Sequence, residues 1–470
     1  MKLDNLTRLL VLGGCVFIAM ELASQNAPVP PVQGPLPPVL VTDEQETPVI
    51  PDEHPLTGGQ VLGVGTSGAK HSFIIPSLRL AETLDSNPLL LSSNDGSYRG
   101  FTAVGGSVQW MQYVGRDTEI RYSGALRYDS RAELQGYSQF TNVEHVAISR
   151  SMRFRNWSLL IDDEAEYSQG SSFGAAGMEG MGGMVTQTSQ WSGLSNLLLS
   201  PNALRPDLLP DQSVLVGQIG RITNSTLVEL DGRVDARNTF TVAGSYGLLH
   251  FNSSLLADTD QTLAIAGYNR RVTARDSFAI EGAFARFTYE GSSTSVSTEY
   301  FSVLYARRIS GRSSIEVGVG PQVTQLNLAQ GNQRTVGWQG RGTAQYRTHR
   351  TTLSAQANRV VSGGAGVFTG AVTTTGSGTV NCDLSRYFSM SLTSGVSRTQ
   401  ELDSSQLYDM EFAGFVLNRK VGRYSNLYVS YDLQHQTTGG VCTGPFCGYT
   451  GLRNVFGIGL SWNYRPISIE

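Results

Sequence analysis

Hydrophobic and polar residues alternate with a period of two along most of the chain beyond residue 100. In the C-terminal run, Phe456, Ile458 and Leu460 share one face with Trp462 and Tyr464, whereas small and polar residues occupy the positions between them. The same alternation recurs over residues 119–128, 239–248 and 426–433. Because successive side chains of a strand point to opposite faces, the pattern predicts a succession of β-strands, each with one apolar face.

Tight junctions that contain an arginine separate many of these runs. Consecutive junction arginines lie 36 to 39 residues apart, apart from a single step of 82. The junction arginines are Arg116, Arg155, Arg237, Arg275, Arg312, Arg350, Arg386 and Arg423. A unit of about 37 residues with one tight turn fits a β-hairpin of two strands of about 12 residues, with a longer loop on the other side.

Eight tight turns join 16 strands, and a first strand near 71–80 and a last strand near 455–465 bring the count to 18. Pro76 weakens the first of these runs because proline cannot donate a ladder hydrogen bond. The fold class predicted is all-β, a transmembrane antiparallel up-and-down β-barrel of about 18 strands over residues 71–466, with 16 strands as the alternative. A soluble sandwich would also alternate, but nearest-neighbour hairpins along the whole chain favour a closed ring.

Some charged residues fall on nominally apolar strand faces. Asp163, Arg150, Arg286 and Glu411 are the examples, and they are compatible with bulges, rim positions or a different register. Aromatic residues near strand ends are typical of the interfacial girdles of a membrane barrel. They include Trp157, Tyr167, Trp338, Tyr346, Tyr387, Trp462 and Tyr464.

Two segments precede the predicted barrel. Residues 1–24 combine Lys2 and Arg8 with the apolar run 9–20, the pattern of a signal peptide for export. Residues 25–70 hold nine of the 17 prolines and predict an extended periplasmic leader that builds no core.

The chain resembles a family, the uncharacterised outer-membrane β-barrels of acidobacterial type, which are porin-type barrels of which some lie near exopolysaccharide gene clusters. The residues that carry the resemblance are the runs 73–87, 242–251 and 456–464 together with the arginine-centred turns. The resemblance implies an outer-membrane location and assembly by the barrel assembly machinery. It does not specify a solute.

Composition narrows the functional classes further. With 39 acidic and 35 basic residues, the net charge of −4 gives no electrostatic footprint for nucleic acid. The chain carries no P-loop and no HExxH motif, and its six histidines show no metal-ligand spacing. We therefore expect no enzyme activity, no cofactor and no metal site. A barrel hydrolase that uses His250 or His435 beside Ser253 or Asp432 is a less favoured alternative.

Two connections between predicted strands carry candidate functional residues. Cys442 and Cys447 lie between the last two strands, and in an oxidising compartment they predict a local disulfide. Residues 170–223 form a long loop that we expect to narrow the pore, because it is the only connection long enough to fill the lumen. Its candidate constriction residues are Met178, Met181, Met184 and Trp191. The Met-x-x-Met-x-x-Met spacing can bind copper(I), although a glycine-rich loop is the commoner interpretation.

The inward positions of the third to sixth strands are rich in charge. Seven acids face three bases there, which favours cations, although paired charges in a hydrated lumen would look the same. The candidate lumen charges are Glu119, Arg121, Arg127, Asp162, Glu164, Glu166, Glu229, Asp231, Arg233 and Asp235.

These features predict an outer-membrane channel through which small hydrophilic solutes diffuse, with weak cation preference and both termini in the periplasm. Its partners would be outer-membrane lipid, the solutes and the assembly machinery. The alternatives are a structural or adhesive surface barrel with a closed lumen and a component for exopolysaccharide export.

Overall fold

A computed structural model describes most of the chain from residue 72 onward. The described residues are 72–87, 98–114, 118–129, 140–154, 156–169, 220–235, 237–253, 256–310, 312–328, 331–364, 366–422, 424–439, 451–465 and 467–469. The signal peptide and leader predicted for 1–70 lie outside this part of the chain. No helix in the described part is long and apolar enough to cross a membrane.

All regular structure in the described residues is β-strand. The strands are β1 (Ser72–Asp85), β2 (Arg99–Val114), β3 (Thr118–Asp129), β4 (Phe140–Arg153), β5 (Trp157–Gln169), β6 (Gly220–Arg233), β7 (Asn238–Phe251), β8 (Thr259–Arg271), β9 (Asp276–Tyr289), β10 (Ser295–Ser310), β11 (Ser313–Leu328), β12 (Gly331–Arg347), β13 (Thr351–Ser362), β14 (Ala371–Asp383), β15 (Phe388–Glu401), β16 (Leu407–Lys420), β17 (Ser425–Gly439), β18 (Gly451–Asn463) and β19 (Ile467–Ile469).

The first 18 strands close into one antiparallel ring. Each pairs with its sequence neighbours, and β18 pairs with β1 from Ser77↔Asn463 to Asp85↔Val455. The three-residue β19 continues alongside β1, where Ser72 pairs with Ile469. The prediction of a closed antiparallel barrel of about 18 strands is therefore confirmed.

The tight junctions lie where the arginine spacing predicts them. Each of the eight falls between an even-numbered strand and the odd-numbered strand that follows it, so all eight turns lie at one end of the barrel, the short-turn end. The other connections define the long-loop end. The step of 82 corresponds to the connection between β5 and β6, where residues 170–219 lie outside the described part of the chain.

The apolar strand faces point outward, away from the barrel axis. In β18, Phe456, Ile458 and Leu460 are exposed. Arg453 and Val455, at the alternate positions of the strand, face inward and are buried. The same alternation holds in β1, where Leu78 and Leu80 are exposed. A closed ring with an apolar outer surface is the form in which β-structure can sit in lipid without unsatisfied backbone groups.

Aromatic side chains form contacts on the outer surface near both ends of the barrel. At the short-turn end, the ring centroids of Trp157 and Phe240 lie 4.9 Å apart, and those of Trp462 and Tyr464 lie 5.6 Å apart. At the long-loop end, Tyr128 contacts Phe140 at 5.2 Å. This arrangement matches the girdles of a membrane barrel.

Pro76 lies in β1 without costing that strand a ladder hydrogen bond. Its carbonyl accepts the Tyr464 N–H at 2.9 Å, so the side of Pro76 that lacks an N–H faces β18 and β19. The β1–β18 register ends at Ser77, and β19 resumes the pairing at Ile74. The missing donor therefore falls in the break between the two strands, where no ladder hydrogen bond is lost.

The four charged residues on apolar faces do face outward, and no register shift occurs at any of them. Arg286 and Arg150 lie close to strand ends. Asp163 lies in the middle of β5, where its Oδ1 accepts hydrogen bonds from Thr226 at 2.5 Å and Asn224 at 3.3 Å. Of the three explanations offered by the sequence, rim positions account for Arg150 and Arg286. Asp163 fits none of them and is accommodated by local hydrogen bonds.

A buried ion pair reinforces the seam between the first and last strands. The guanidinium of Arg453 on β18 donates to Asp85 on β1 through Nη2 at 2.7 Å and Nε at 3.2 Å. The Asp85 side chain is 0% exposed and that of Arg453 is 5% exposed. Two parallel hydrogen bonds fix both groups in a low-dielectric setting, and this geometry is specific to arginine.

Replacing Asp85→Asn should strongly destabilise the barrel, because the buried Arg453 charge would lose its carboxylate. We expect the free energy of unfolding to fall by about 3 kcal/mol or more, measured by urea unfolding of protein refolded into lipid vesicles. The matched control is Asp409→Asn. Asp409 accepts the same pair of bidentate hydrogen bonds from Arg398, at 2.7 and 2.8 Å, but this pair lies on the exposed outer surface.

The control should cost less than about 1 kcal/mol, because Asp409 and Arg398 lie within four residues of the long-loop ends of their strands, away from the middle of the membrane, and exposed ion pairs contribute little. Equal losses in the two variants would contradict a special role for the seam pair.

Candidate functional site: the barrel lumen

The wall formed by β3 to β6 carries charge along its whole height. Near the short-turn end, Arg121 Nε lies 3.4 Å from Glu119 Oε1. Further along, Glu164 forms a short contact with Nε2 of His145 on the neighbouring strand. Asp162 and Glu229 are buried on the same face, and Asp231 accepts a hydrogen bond from Thr241 at 2.5 Å.

The remaining predicted lumen charges differ in their placement. Glu166 shares the inward face of β5, and Arg233 is exposed at the end of β6. Arg127 occupies an inward register position in β3, but its side chain lies outside the described part of the structure. Arg221 is an inward base that the sequence analysis did not select, and it is buried within electrostatic range of Glu166.

Asp235 is a correction to the predicted set, because it lies in the turn between β6 and β7 and not on the wall. Its Oδ1 accepts the backbone N–H groups of Arg237 at 2.7 Å and Asn238 at 2.8 Å, and its Oδ2 accepts the Asn238 amide at 2.6 Å. These hydrogen bonds, led by that from Arg237, lower the pKa of the Asp235 carboxyl. Asp235 therefore stabilises a tight turn, and the acids placed on this wall number six.

The wall formed by β9 to β12 carries a second polar group that sequence reasoning missed. Nη2 of Arg341 lies 2.8 Å from Oε2 of Glu281, and Glu316 is buried beside them. Above this trio, Gln322 donates to Thr298 at 2.9 Å, and Gln339 donates to Ser302. Two buried carboxyl groups therefore lie beside one guanidinium on this wall.

The long-loop half of the same wall is apolar. Inward residues of β6 to β11 pack into one buried cluster. Its members include Leu227, Leu263, Ile265, Phe287, Tyr289, Val296 and Leu326. On the β9–β12 wall, the charged groups therefore lie towards the short-turn end and the apolar cluster towards the long-loop end, whose opening is termed the mouth.

The connection between β13 and β14 (residues 363–370, described except for 365) lies inside this mouth and is termed here the mouth loop. Pairing of β12 with β13 ends at Gly340↔Arg359, whereas β13 and β14 stay paired to Ser362↔Ala371. The tip of the β13–β14 hairpin thus departs from β12. The carbonyl of Gly366 accepts the Ala257 N–H at 2.8 Å, which joins the mouth loop to the connection between β7 and β8.

The mouth loop contacts both sides of the ring. Val367 packs against the buried cluster of Leu249, Phe251 and Leu256, at the end of β7. The ring of Phe368 lies 5.3 Å from that of Tyr408 on β16. Since β7 and β16 are nine strands apart in a ring of 18, adjacent residues of one loop connect opposite sides of the mouth.

Glycine makes this path possible. Gly366 has φ +77° and Gly370 has φ +98°, a conformation that other residues rarely adopt. A side chain on Gly366 would also collide with the ring of Phe251. The signal in the sequence is the uncharged apolar run 360–372, which differs from the polar composition usual for exposed loops.

The other predicted site residues lie outside the described residues. These are the proposed disulfide partners Cys442 and Cys447 and the constriction residues Met178, Met181, Met184 and Trp191. The expectation that only the 170–223 connection could occupy the lumen was wrong, because the eight-residue mouth loop already lies inside the ring.

Comparisons with known proteins reveal only distant similarity. No protein-family model matches the sequence, and no curated protein matches it either. Among solved structures, the chain is similar to Pseudomonas aeruginosa OccK2 (OpdF) in complex with glucuronate, with 10% identity, a TM-score of 0.43 and coverage of 85% of this chain and 98% of that one.

It is also similar to Pseudomonas aeruginosa OpdK with vanillate (11% identity, TM-score 0.41, 83% and 98% covered) and to BauA, the ferric preacinetobactin receptor of Acinetobacter baumannii (10%, 0.41, 84% and 80%). Similarity at this level does not transfer a solute to the present chain. The barrel assignment rests on the strand pairing of the chain itself.

Proposed function

We propose that this protein is an outer-membrane channel of porin type through which small hydrophilic solutes diffuse. The observation that carries the proposal is the closed ring of 18 strands with an apolar outer surface and a charged inner wall. A barrel of this size encloses a lumen wider than its own side chains can fill. Passage requires no turnover, since width and wall charge select the solute.

The proposed organisation combines this architecture with the sequence patterns that precede the barrel. Residues 1–24 direct export, residues 25–70 form a periplasmic leader, and residues 71–466 are inserted by the barrel assembly machinery. With short turns in the periplasm, as is usual for such barrels, both chain termini lie on the periplasmic side and the mouth loop faces the cell exterior. The segment 170–223 is proposed as a further constriction beside the mouth loop.

A second candidate function is a structural surface barrel with a closed lumen. The contacts of Val367 and Phe368 with opposite sides of the mouth favour it, because buried apolar packing leaves no water path at those points. An open channel and a barrel with a closed lumen differ in whether ions pass, so electrical recordings distinguish the two functions.

The double variant Val367→Ser and Phe368→Ser should raise single-channel conductance in planar bilayers, because it removes the apolar contacts that hold the mouth loop across the opening. The matched control is Val336→Ser, an exposed position on the outward face of β12. The control should conduct like the unmodified protein. If neither the protein nor the double variant conducts, the structural candidate replaces the channel.

The acid excess on the inner wall predicts weak cation preference, measured as the reversal potential across a potassium chloride gradient. Six acids face the lumen from β3 to β6, against three described arginines and Arg127, which occupies an inward register position. The preference should fade near 1 M salt, where the screening length is about 3 Å. Anion preference at low salt would contradict this assignment.

A further inference from the structure

Three potential metal ligands meet at the long-loop end of β7 to β10. His250 is the last but one residue of β7, Asp258 lies in the connection to β8, and Glu290 lies in the turn after β9. One ligand atom from each lies within 4.8 Å of the other two. Residues far apart in the sequence therefore converge here, which explains why histidine spacing alone predicted no metal site.

Direct contacts hold this group together. Nδ1 of His250 lies 2.5 Å from Oδ2 of Asp258, and the other oxygen of Asp258 accepts the Phe251 N–H at 2.8 Å. The Glu290 N–H donates to the backbone carbonyl of Asp258 at 3.2 Å. The backbone hydrogen bonds position the two carboxylate residues next to each other before any ion arrives.

The group is open to water on one side. The side chain of His250 is 44% exposed, that of Asp258 is 18% exposed, and Glu290 is exposed. An ion can reach the ligands from solution, and water can complete its coordination. An imidazole nitrogen with two carboxylates is a donor set that suits Zn²⁺ and related divalent transition metals.

We propose that His250, Asp258 and Glu290 bind one divalent transition-metal cation. At about 2.1 Å from a tetrahedral Zn²⁺, two ligand atoms lie about 3.4 Å apart. The His250 and Asp258 atoms are closer than this and touch each other directly. To admit the ion, the two atoms move apart by less than about 1 Å, which side-chain rotation at a rim allows.

Other histidine and carboxylate contacts in the barrel lack a third ligand. His435 Nδ1 lies 3.7 Å from Glu411 Oε2 on the outer face of β16 and β17, also towards the long-loop end. Within the residues that the structure describes, only the His250 group brings three such side chains together. The His435 pair is therefore a natural control of similar chemistry and position.

The site adjoins the mouth loop. Asp258 follows Ala257, whose N–H donates to the Gly366 carbonyl. A cation that links Asp258 to His250 on β7 and to Glu290 in the β9–β10 turn also restrains the β7–β8 connection. This connection donates the hydrogen bond to the mouth loop. Bound metal should therefore hold the mouth closed, a consequence that rests on the proposed channel function, whereas metal binding itself does not.

Zn²⁺ binding to the full chain, folded in detergent and prepared without a histidine tag, tests the site by isothermal titration calorimetry. Cys382, Cys442 and Cys447 are replaced by serine throughout, so that thiols do not compete for zinc. We expect one site whose affinity falls at least tenfold in His250→Asn and in Glu290→Gln. The control variants His435→Asn and Glu411→Gln should bind as tightly as the parent protein.

Loss of Zn²⁺ binding must be separated from misfolding. Glu290→Gln changes an exposed side chain and retains the backbone contact to Asp258, so its thermal unfolding without metal should match that of the parent. Absence of any zinc site in the parent, or equal affinity in the His250 and His435 variants, would overturn the proposal.

Conductance tests the coupling separately. Zn²⁺ should reduce the conductance of the parent and leave that of Glu290→Gln unchanged. Zinc binding with unaltered conductance would refute the coupling to the mouth loop. A protein that binds zinc but never conducts would refute the channel and leave the metal site standing.

Discussion

The structure depends above all on closing the backbone hydrogen-bond ladder into a ring. A sheet with a free edge exposes unpaired N–H and C=O groups, and in hydrocarbon each such group costs several kcal/mol. Here each of the 18 long strands pairs with two neighbours, and β1 meets β18 over nine register pairs. Side chains alternate between the two faces of each strand. Because a closed ring has one inner and one outer surface, closure determines which of these faces points outward in every strand.

That constraint explains how Pro76 and the short β19 are accommodated. Closure requires the last strand to follow the first along its length, yet a proline in β1 cannot donate to it. The chain therefore interrupts β18 beyond Asn463 and resumes pairing at Ile467, so that Pro76 faces the interruption. The buried contact of Asp85 and Arg453 lies towards the other end of the same seam.

Much of the fold could be predicted from the sequence because a barrel repeats one local rule. Period-two alternation assigned Ile458 and Leu460 to the outward face, and the arginine spacing located all eight short turns. Asp235 was misplaced because an acid in the turn, two residues beyond the end of β6, looks in the sequence like an acid on the wall. Its three hydrogen bonds to Arg237 and Asn238 are visible only in the folded turn.

The interior was harder to predict because it depends on contacts between strands far apart in the chain. No periodicity relates Phe368 to Tyr408 or Val367 to Leu249, and length alone suggested that only residues 170–223 could reach the lumen. Likewise, Arg341 meets Glu281 across two intervening strands, and the three proposed metal ligands come from β7, the β7–β8 connection and the β9–β10 turn. The inward contacts follow from ring closure, which brings inward residues together irrespective of their spacing, whereas the metal ligands meet because they lie at the ends of neighbouring strands.

The central claim is a closed ring with lipid on one face and an aqueous lumen on the other. Spin labels at the consecutive β14 positions 375 to 380 test it directly, in protein whose native cysteines at 382, 442 and 447 are replaced by serine and which is reconstituted into vesicles. We expect odd-numbered labels, which face the lumen, to collide with a water-soluble nickel complex, and even-numbered labels to collide with membrane-dissolved oxygen. Uniform accessibility along the strand, or lipid contact at the odd positions, would contradict the structure.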